Sequence, residues 1–189
     1  VEDALGNQTE MSYNALGYRT VMTDANDAVT TYAYDGLNRL VTINYVTDGE
    51  TVQYSYDAAG NRTQMIDSVG TTSYVYDDLY RLTSVNAHFS EVIQYGYDKV
   101  GNRTSVTYPD SKQATYIYDD DNRLEQVNDW GSGSTTYLYD AAGRQITTTL
   151  PNGVTTINSF DDANRLVGIT HTDADSNLLA NYDYILNGV

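Results

Sequence analysis

Every arginine of this 189-residue chain follows an aspartate, or in one case an asparagine, by four or five positions. The pairs are Asn14/Arg19, Asp35/Arg39, Asp57/Arg62, Asp77/Arg81, Asp98/Arg103, Asp119/Arg123, Asp140/Arg144 and Asp161/Arg165. Across a tight turn that spacing suits a charge-assisted hydrogen bond from the guanidinium to the carboxylate or to turn carbonyls, while the guanidinium plane stays free to lie on an aromatic ring. Rings are at hand, because an aromatic residue stands directly before each of these aspartates: Tyr34, Tyr56, Tyr76, Tyr97, Tyr118, Tyr139 and Phe160. The chemistry expected here is that of a structural turn clamp. The competing use, a row of arginines that binds glycans or carboxylates, needs the same residues left free.

Catalysis has little to stand on, and no catalytic residue, metal site or cofactor is expected. His88 and His171, the two histidines, are expected in different loops and neighbour no serine or aspartate in a nucleophile motif. Carboxylates are plentiful, yet a pair suited to glycoside hydrolysis needs a cleft and separated pKa values. Aspartates that recur in every unit are accounted for by turn formation. The run Asp173-Ala174-Asp175-Ser176-Asn177 opens like a calcium loop, but Leu178 replaces the glycine of its sixth place and Tyr184 the bidentate glutamate of its twelfth. That run and Asp119-Asp120-Asp121-Asn122 therefore read as polar loops. Trp130, in the glycine-rich stretch Asn128-Asp129-Trp130-Gly131-Ser132-Gly133-Ser134, is the best single candidate for contact with a ligand. Packing over the sheet edge is its other reading.

These residues recur because the chain repeats. From Tyr13 to Phe160 the aromatic positions are 21, 22, 20, 21, 21, 21 and 21 residues apart, one supersecondary unit each. The turns alternate between two kinds. One ends in Arg-Leu (Asn38-Arg39-Leu40, Tyr80-Arg81-Leu82, Asn122-Arg123-Leu124, Asn164-Arg165-Leu166) and recurs every 42 residues. The other is glycine-rich, at Gly60-Asn61-Arg62 and Gly101-Asn102-Arg103, with variants at Gly17 and Gly143. Val, Ile, Thr and Tyr fill the runs between turns and nothing has helical spacing, so each unit is predicted as strand, turn, strand, for example Thr30–Tyr34, Asp35–Asn38 and Arg39–Tyr45. Tyrosines two apart, from Tyr32/Tyr34 to Tyr182/Tyr184, form a double row on one face. About sixteen antiparallel strands seldom stay flat, so a curled or spiralling sheet is expected. Residues 1–189 read as one repeat array, itself a segment of a longer chain, with irregular first units over 1–29 and a frayed or cap-like first hairpin. Regular repeats follow over 30–170 and a degenerate last unit over 171–189.

At Tyr54-Ser55-Tyr56-Asp57-Ala58-Ala59-Gly60-Asn61-Arg62-Thr63 and its copies the sequence resembles the Tyr-Asp repeat, or Rhs-type repeat. Such repeats occur in large bacterial polymorphic toxins, in the cocoon subunits of insecticidal toxin complexes and in animal teneurins. The resemblance runs over essentially the whole chain. It implies an all-β fold whose strand–turn–strand units spiral into a hollow β-shell, often around a toxic C-terminal polypeptide. The implied partners are the rest of the same repeat-containing chain, a polypeptide cargo or neighbouring subunits. The family's core segment beyond the last repeat, with its Asp-Pro-containing self-cleavage site, has no counterpart in the sequence, nor does a toxin domain.

A net charge of −16, from 26 acidic and 10 basic residues, repels phosphate backbones, so nucleic acid is not an expected partner. Without cysteine there is neither a disulfide framework nor a thiolate metal site, and no membrane span or signal peptide is recognised. The reading is a non-enzymatic β-repeat scaffold of a secreted or surface-exposed bacterial protein, a shell wall that encapsulates a toxin or effector polypeptide. The alternative is an extracellular filament or a carbohydrate-binding adhesion module.

Overall fold

Tight turns separate seventeen β-strands, and the described residues contain no α-helix. The computed structural model describes residues 1–4, 6, 8–88 and 91–185; Leu5 and Asn7 of the first unit and residues 186–189 of the degenerate one lie outside them. The chain divides into two compact units, Val1–Ile93 and Gln94–Val189. The first holds β1 (Glu10–Tyr13), β2 (Arg19–Thr23), β3 (Val29–Tyr34), β4 (Leu40–Tyr45), β5 (Glu50–Tyr56), β6 (Arg62–Ile66), β7 (Thr71–Tyr76) and β8 (Leu82–Asn86). Each of these strands pairs antiparallel with the next. The second unit is built in the same way, with consecutive strands antiparallel through β9 (Val92–Tyr97), β10 (Arg103–Thr107), β11 (Gln113–Tyr118), β12 (Leu124–Asn128), β13 (Ser134–Tyr139), β14 (Gln145–Thr149), β15 (Thr155–Phe160), β16 (Leu166–Thr172) and β17 (Leu178–Asp183). The first hairpin, expected to be frayed or cap-like, is paired from Glu10↔Thr23 to Tyr13↔Arg19, with Thr20 skipped.

One turn geometry serves nearly every hairpin. The aspartate N–H donates to the carbonyl four residues on, and the N–H three residues on donates back, as in Asp35 N to Arg39 O and Asn38 N to Asp35 O, both 2.9 Å. The residue three places after the aspartate is left-handed, with φ of 61° at Asn38, 95° at Gly60 and 60° at Asn122. This is a turn closed by a left-handed bulge residue, which joins antiparallel strands without splaying them. Asn and Gly take that conformation easily, whereas Tyr80, at φ 62°, does so against the clash of its Cβ. Turns at the opposite edge repeat the pattern, with Asp27, Ser111, Ser132, Gly153 and Ser176 in the left-handed place.

Each outgoing strand then carries a second bulge. Tyr34 faces Leu40 but Ala33 faces Thr42, so Val41 has no cross-strand partner. Thr63, Glu125, Ile146 and Val167 are skipped in the same way. A bulge breaks the ladder locally and re-aims what lies beside it, and the carbonyl just before it becomes available to another donor.

The two faces of the sheet differ. On the tyrosine face, cross-strand rows mix rings with aliphatics, as in Tyr32↔Ile43↔Val52 and Tyr95↔Val106↔Ala114. The opposite face is mainly neutral and hydroxylated, as in Thr136↔Thr149↔Thr155↔Thr172. No described side chain is fully buried; the deepest are Val106, Ala114 and Thr30, at 6 to 7% exposure. Stabilisation therefore comes from many cross-strand pairs, each of ~0.2–1 kcal/mol, rather than from a central core.

Candidate functional site

The repeated turns carry the chain's ionic chemistry. In the turn at Asp35, Oδ1 accepts from the N–H groups of Leu37 and Arg39 at 2.9 Å and Oδ2 accepts from Arg39 Nε at 2.7 Å. The same carboxylate-to-Nε bond, 2.6 to 2.8 Å, joins Asp77 to Arg81, Asp119 to Arg123, Asp140 to Arg144 and Asp161 to Arg165. The arginine's main-chain N–H in first place, with its guanidinium, outweighs partial desolvation and holds these carboxyls below their ordinary value of 3.8.

The expectation that a spacing of five also clamps the carboxylate is corrected by Asp57 and Asp98. There an asparagine takes the fourth place, and Asn61 and Asn102 donate Nδ2 to the carboxylate at 2.9 Å. Asp57 is lowered first by that amide, while at Asp98 the amide and the turn N–H groups overcome desolvation. Arg62 and Arg103, one residue farther on, turn to the tyrosine face.

The one-residue offset selects which ring an arginine covers. Arginines at the fourth place lie over the motif aromatic of the following hairpin: Arg39 over Tyr56, Arg123 over Tyr139 and Arg144 over Phe160, at 4.8 to 4.9 Å. Arginines at the fifth place lie over the tyrosine two residues earlier: Arg19 over Tyr32 at 4.4 Å, Arg62 over Tyr74 at 4.5 Å and Arg103 over Tyr116 at 4.9 Å. Arg144 follows a glycine yet belongs with the first set, because no asparagine separates it from Gly143. The Gly143 turn thus departs from the glycine-rich kind to which its sequence assigns it. Some fourth-place arginines also reach the next turn, with Arg39 Nη1 donating to Asp57 O at 3.0 Å and Arg144 Nη1 to Asn164 Oδ1 at 2.8 Å.

The motif tyrosines supply a further tie. Tyr34, Tyr56, Tyr76, Tyr118 and Tyr139 donate their hydroxyls to the carbonyls of Arg19, Leu40, Arg62, Arg103 and Leu124, at 2.7 to 3.0 Å. Each acceptor is the residue just before a bulge in the preceding hairpin. Phe160 has no hydroxyl to give, and Asn158 Nδ2 donates to the equivalent carbonyl, that of Gln145, at 3.2 Å. Asn158 escapes a sequence reading of the motif, although it stands where the other units carry a tyrosine.

The remaining candidates are placed as follows. Gly60, Gly101 and Gly143 occupy the left-handed turn position. His171 lies on β16 and not in a loop, its Nδ1 2.9 Å from Thr156 Oγ1. Asp173 engages Asp175 N and both nitrogens of Asn177 within its own turn. Among the described residues no three His, Cys, Asp or Glu converge on a point that could hold a metal ion. A shallow groove of about 390 Å³ between the turns at Asp57 and Asp77 is lined by Thr63, Tyr74, Tyr76, Asp78 and Tyr80, and both motif carboxylates in it are bonded within their turns. Trp130 is half exposed beside Tyr108.

The family model described as teneurin YD-shell matches residues 6–185. Among solved structures the chain is similar to one described as TcdB2-TccC3-TEV, with a TM-score of 0.75 and 15% identity over 95% of this chain and 11% of that one. It is also similar to TcdB2-TccC3-Cdc42, with a TM-score of 0.56 and 20% identity over 92% of this chain and 9% of the other. The chain thus has about a tenth of the length of these structures, and at such identities the likeness is one of fold. No curated protein matches it.

Proposed function

The chain belongs to the teneurin YD-shell family, and from that premise we propose that it is a length of passive shell wall, enclosing a toxin or effector polypeptide in a secreted or surface-exposed bacterial protein. The observation that carries this reading is the sameness of the joints. Within each unit, successive hairpins are tied by the same devices: the strand ladder, a guanidinium over a ring, and a tyrosine hydroxyl on a bulge carbonyl, with Asn158 in place of the hydroxyl at Phe160. Such a series can be extended without a privileged position, which suits a wall. The motif aspartates are engaged in holding turns and the arginines in holding turns or covering rings, so this reading gives them no catalytic part. Its partners are the rest of the repeat-containing chain and its cargo.

Limited proteolysis of the natural full-length chain tests the proposal. An enclosed polypeptide stays uncut while the array is intact, and becomes cleavable when Tyr34, Tyr56 and Tyr76 are together changed to phenylalanine to loosen the wall. A full-length chain whose segments are all cut alike, with the wall intact, would exclude enclosure.

A further inference from the structure

We infer that Trp130 and Tyr108 form a preset platform for a neutral sugar ring, at the edge of the second unit opposite the motif turns. The two rings meet edge to face, with centroids 5.5 Å apart and planes at 76°, and they remain 56% and 37% exposed. The glycine-rich stretch that carries Trp130 is a closed turn. Asp129 N donates to Gly133 O at 2.9 Å, and Asp129 Oδ1 accepts from Gly131 N and Gly133 N at 2.7 and 2.8 Å. A Cβ at Gly133 would meet the Asp129 carboxylate where it now lies. The main chain that carries the indole is therefore set before any ligand arrives, and Tyr108 packs against the ring, which lowers the ordering cost of binding.

The platform is also a departure from the repeat. Equivalent turns at this edge carry Ala25, Pro109, Pro151 and Ala174 where Trp130 stands. Nothing in the joints between hairpins needs an indole there, so the site is independent of the wall reading. Its surroundings define the ligand. Lys112 Nζ lies 5.9 Å from the indole centroid and is tethered by Asp110 Oδ2 at 2.6 Å. A cation over the ring opposes a second, ligand-borne cation. The charge of −16 opposes anionic polymers. What fits is a neutral molecule with an apolar ring face for Trp130 and hydroxyls for the Asp110 carboxylate and the Lys112 ammonium, the description of an uncharged pyranose.

Because Trp130 is the one tryptophan of the chain, its intrinsic fluorescence reports on this place alone. The experiment titrates the whole 189-residue chain with neutral gluco-, manno-, galacto- and xylo-oligosaccharides, and in parallel with heparin oligosaccharides, choline and a proline-rich peptide. The expected result is a saturable fluorescence change with at least one neutral oligosaccharide, at a Kd of about 1 mM or tighter, weakened ~10-fold or more by Tyr108→Ala. Lys112→Gln should weaken it less, and the circular dichroism of both variants should be unchanged. A saturable response to choline, heparin or the peptide without one to a neutral sugar overturns the inference. So does no response at all, or neutral-sugar binding that Tyr108→Ala leaves intact.

Discussion

The motif tyrosine differs from the tyrosine two residues before it in what its hydroxyl does. Tyr56 Oη donates to Leu40 O at 2.7 Å, whereas the hydroxyl of Tyr54 has no protein partner among the described residues. Tyr56→Phe should destabilise the chain by about 1 kcal/mol and Tyr54→Phe by much less, as read from chemical denaturation midpoints; equal effects would remove the hydroxyl tie from the account. Asn158→Ala should cost a similar amount by leaving Gln145 O without its donor, and Phe160→Tyr should restore the loss in the same molecule. Acid supplies another test. Folding lowers the pKa of the motif aspartates below 3.8, so their contribution is complete above that unfolded value and is lost as pH falls through the folded one. The thermal midpoint should fall steeply only below about pH 4. A midpoint that does not change between pH 5 and 2.5 would contradict the bonded carboxylates. The aspartates, arginines and tyrosines that matter were legible in the sequence from their recurrence. The acceptor of each hydroxyl was not, because it depends on a bulge that no residue type announces.

At the scale of the hairpin, strand and turn positions were legible because tyrosine alternation and turn residues agree with each other. The predicted outgoing strand from Arg39 begins one residue later, at Leu40, since Arg39 is still within the turn. The use of each arginine was open to counting but was obscured by grouping turns by their glycines. Position four faces the carboxylate, position five lies on the paired strand opposite the motif tyrosine, and Arg144 follows its position and not its neighbour. Tyr80 is the turn residue least suited to its left-handed place. Tyr80→Asn, which gives that turn the residue found at positions 38, 122 and 164, should stabilise the chain by about 1 kcal/mol, and a lower thermal midpoint would show that the ring makes a compensating contact.

For the whole molecule, the 42-residue superperiod has a physical meaning that the sequence alone did not supply. Fifth-place arginines (Arg19, Arg62 and Arg103), which cover the inner tyrosines, alternate with fourth-place ones as far as Arg123, after which Arg144 keeps the fourth place and covers Phe160. Deleting 35–76 removes one full superperiod and keeps the order of arginine positions, so the shorter chain should fold with a similar thermal midpoint per strand. Deleting 35–56 sets two fifth-place arginines, Arg19 and Arg62, in succession and should lower the midpoint; equal midpoints would deny the alternation any structural role. The chain's membership of a shell family was legible from eight motif copies in phase, Tyr13 to Phe160, but what the wall encloses was not, since the same joints serve any cargo. The most direct test is an electron cryo-microscopy map of the natural full-length chain that contains this array. The account predicts a curved β-wall around a space that holds additional polypeptide density. A solid rod or an open filament with no enclosed polypeptide would contradict it.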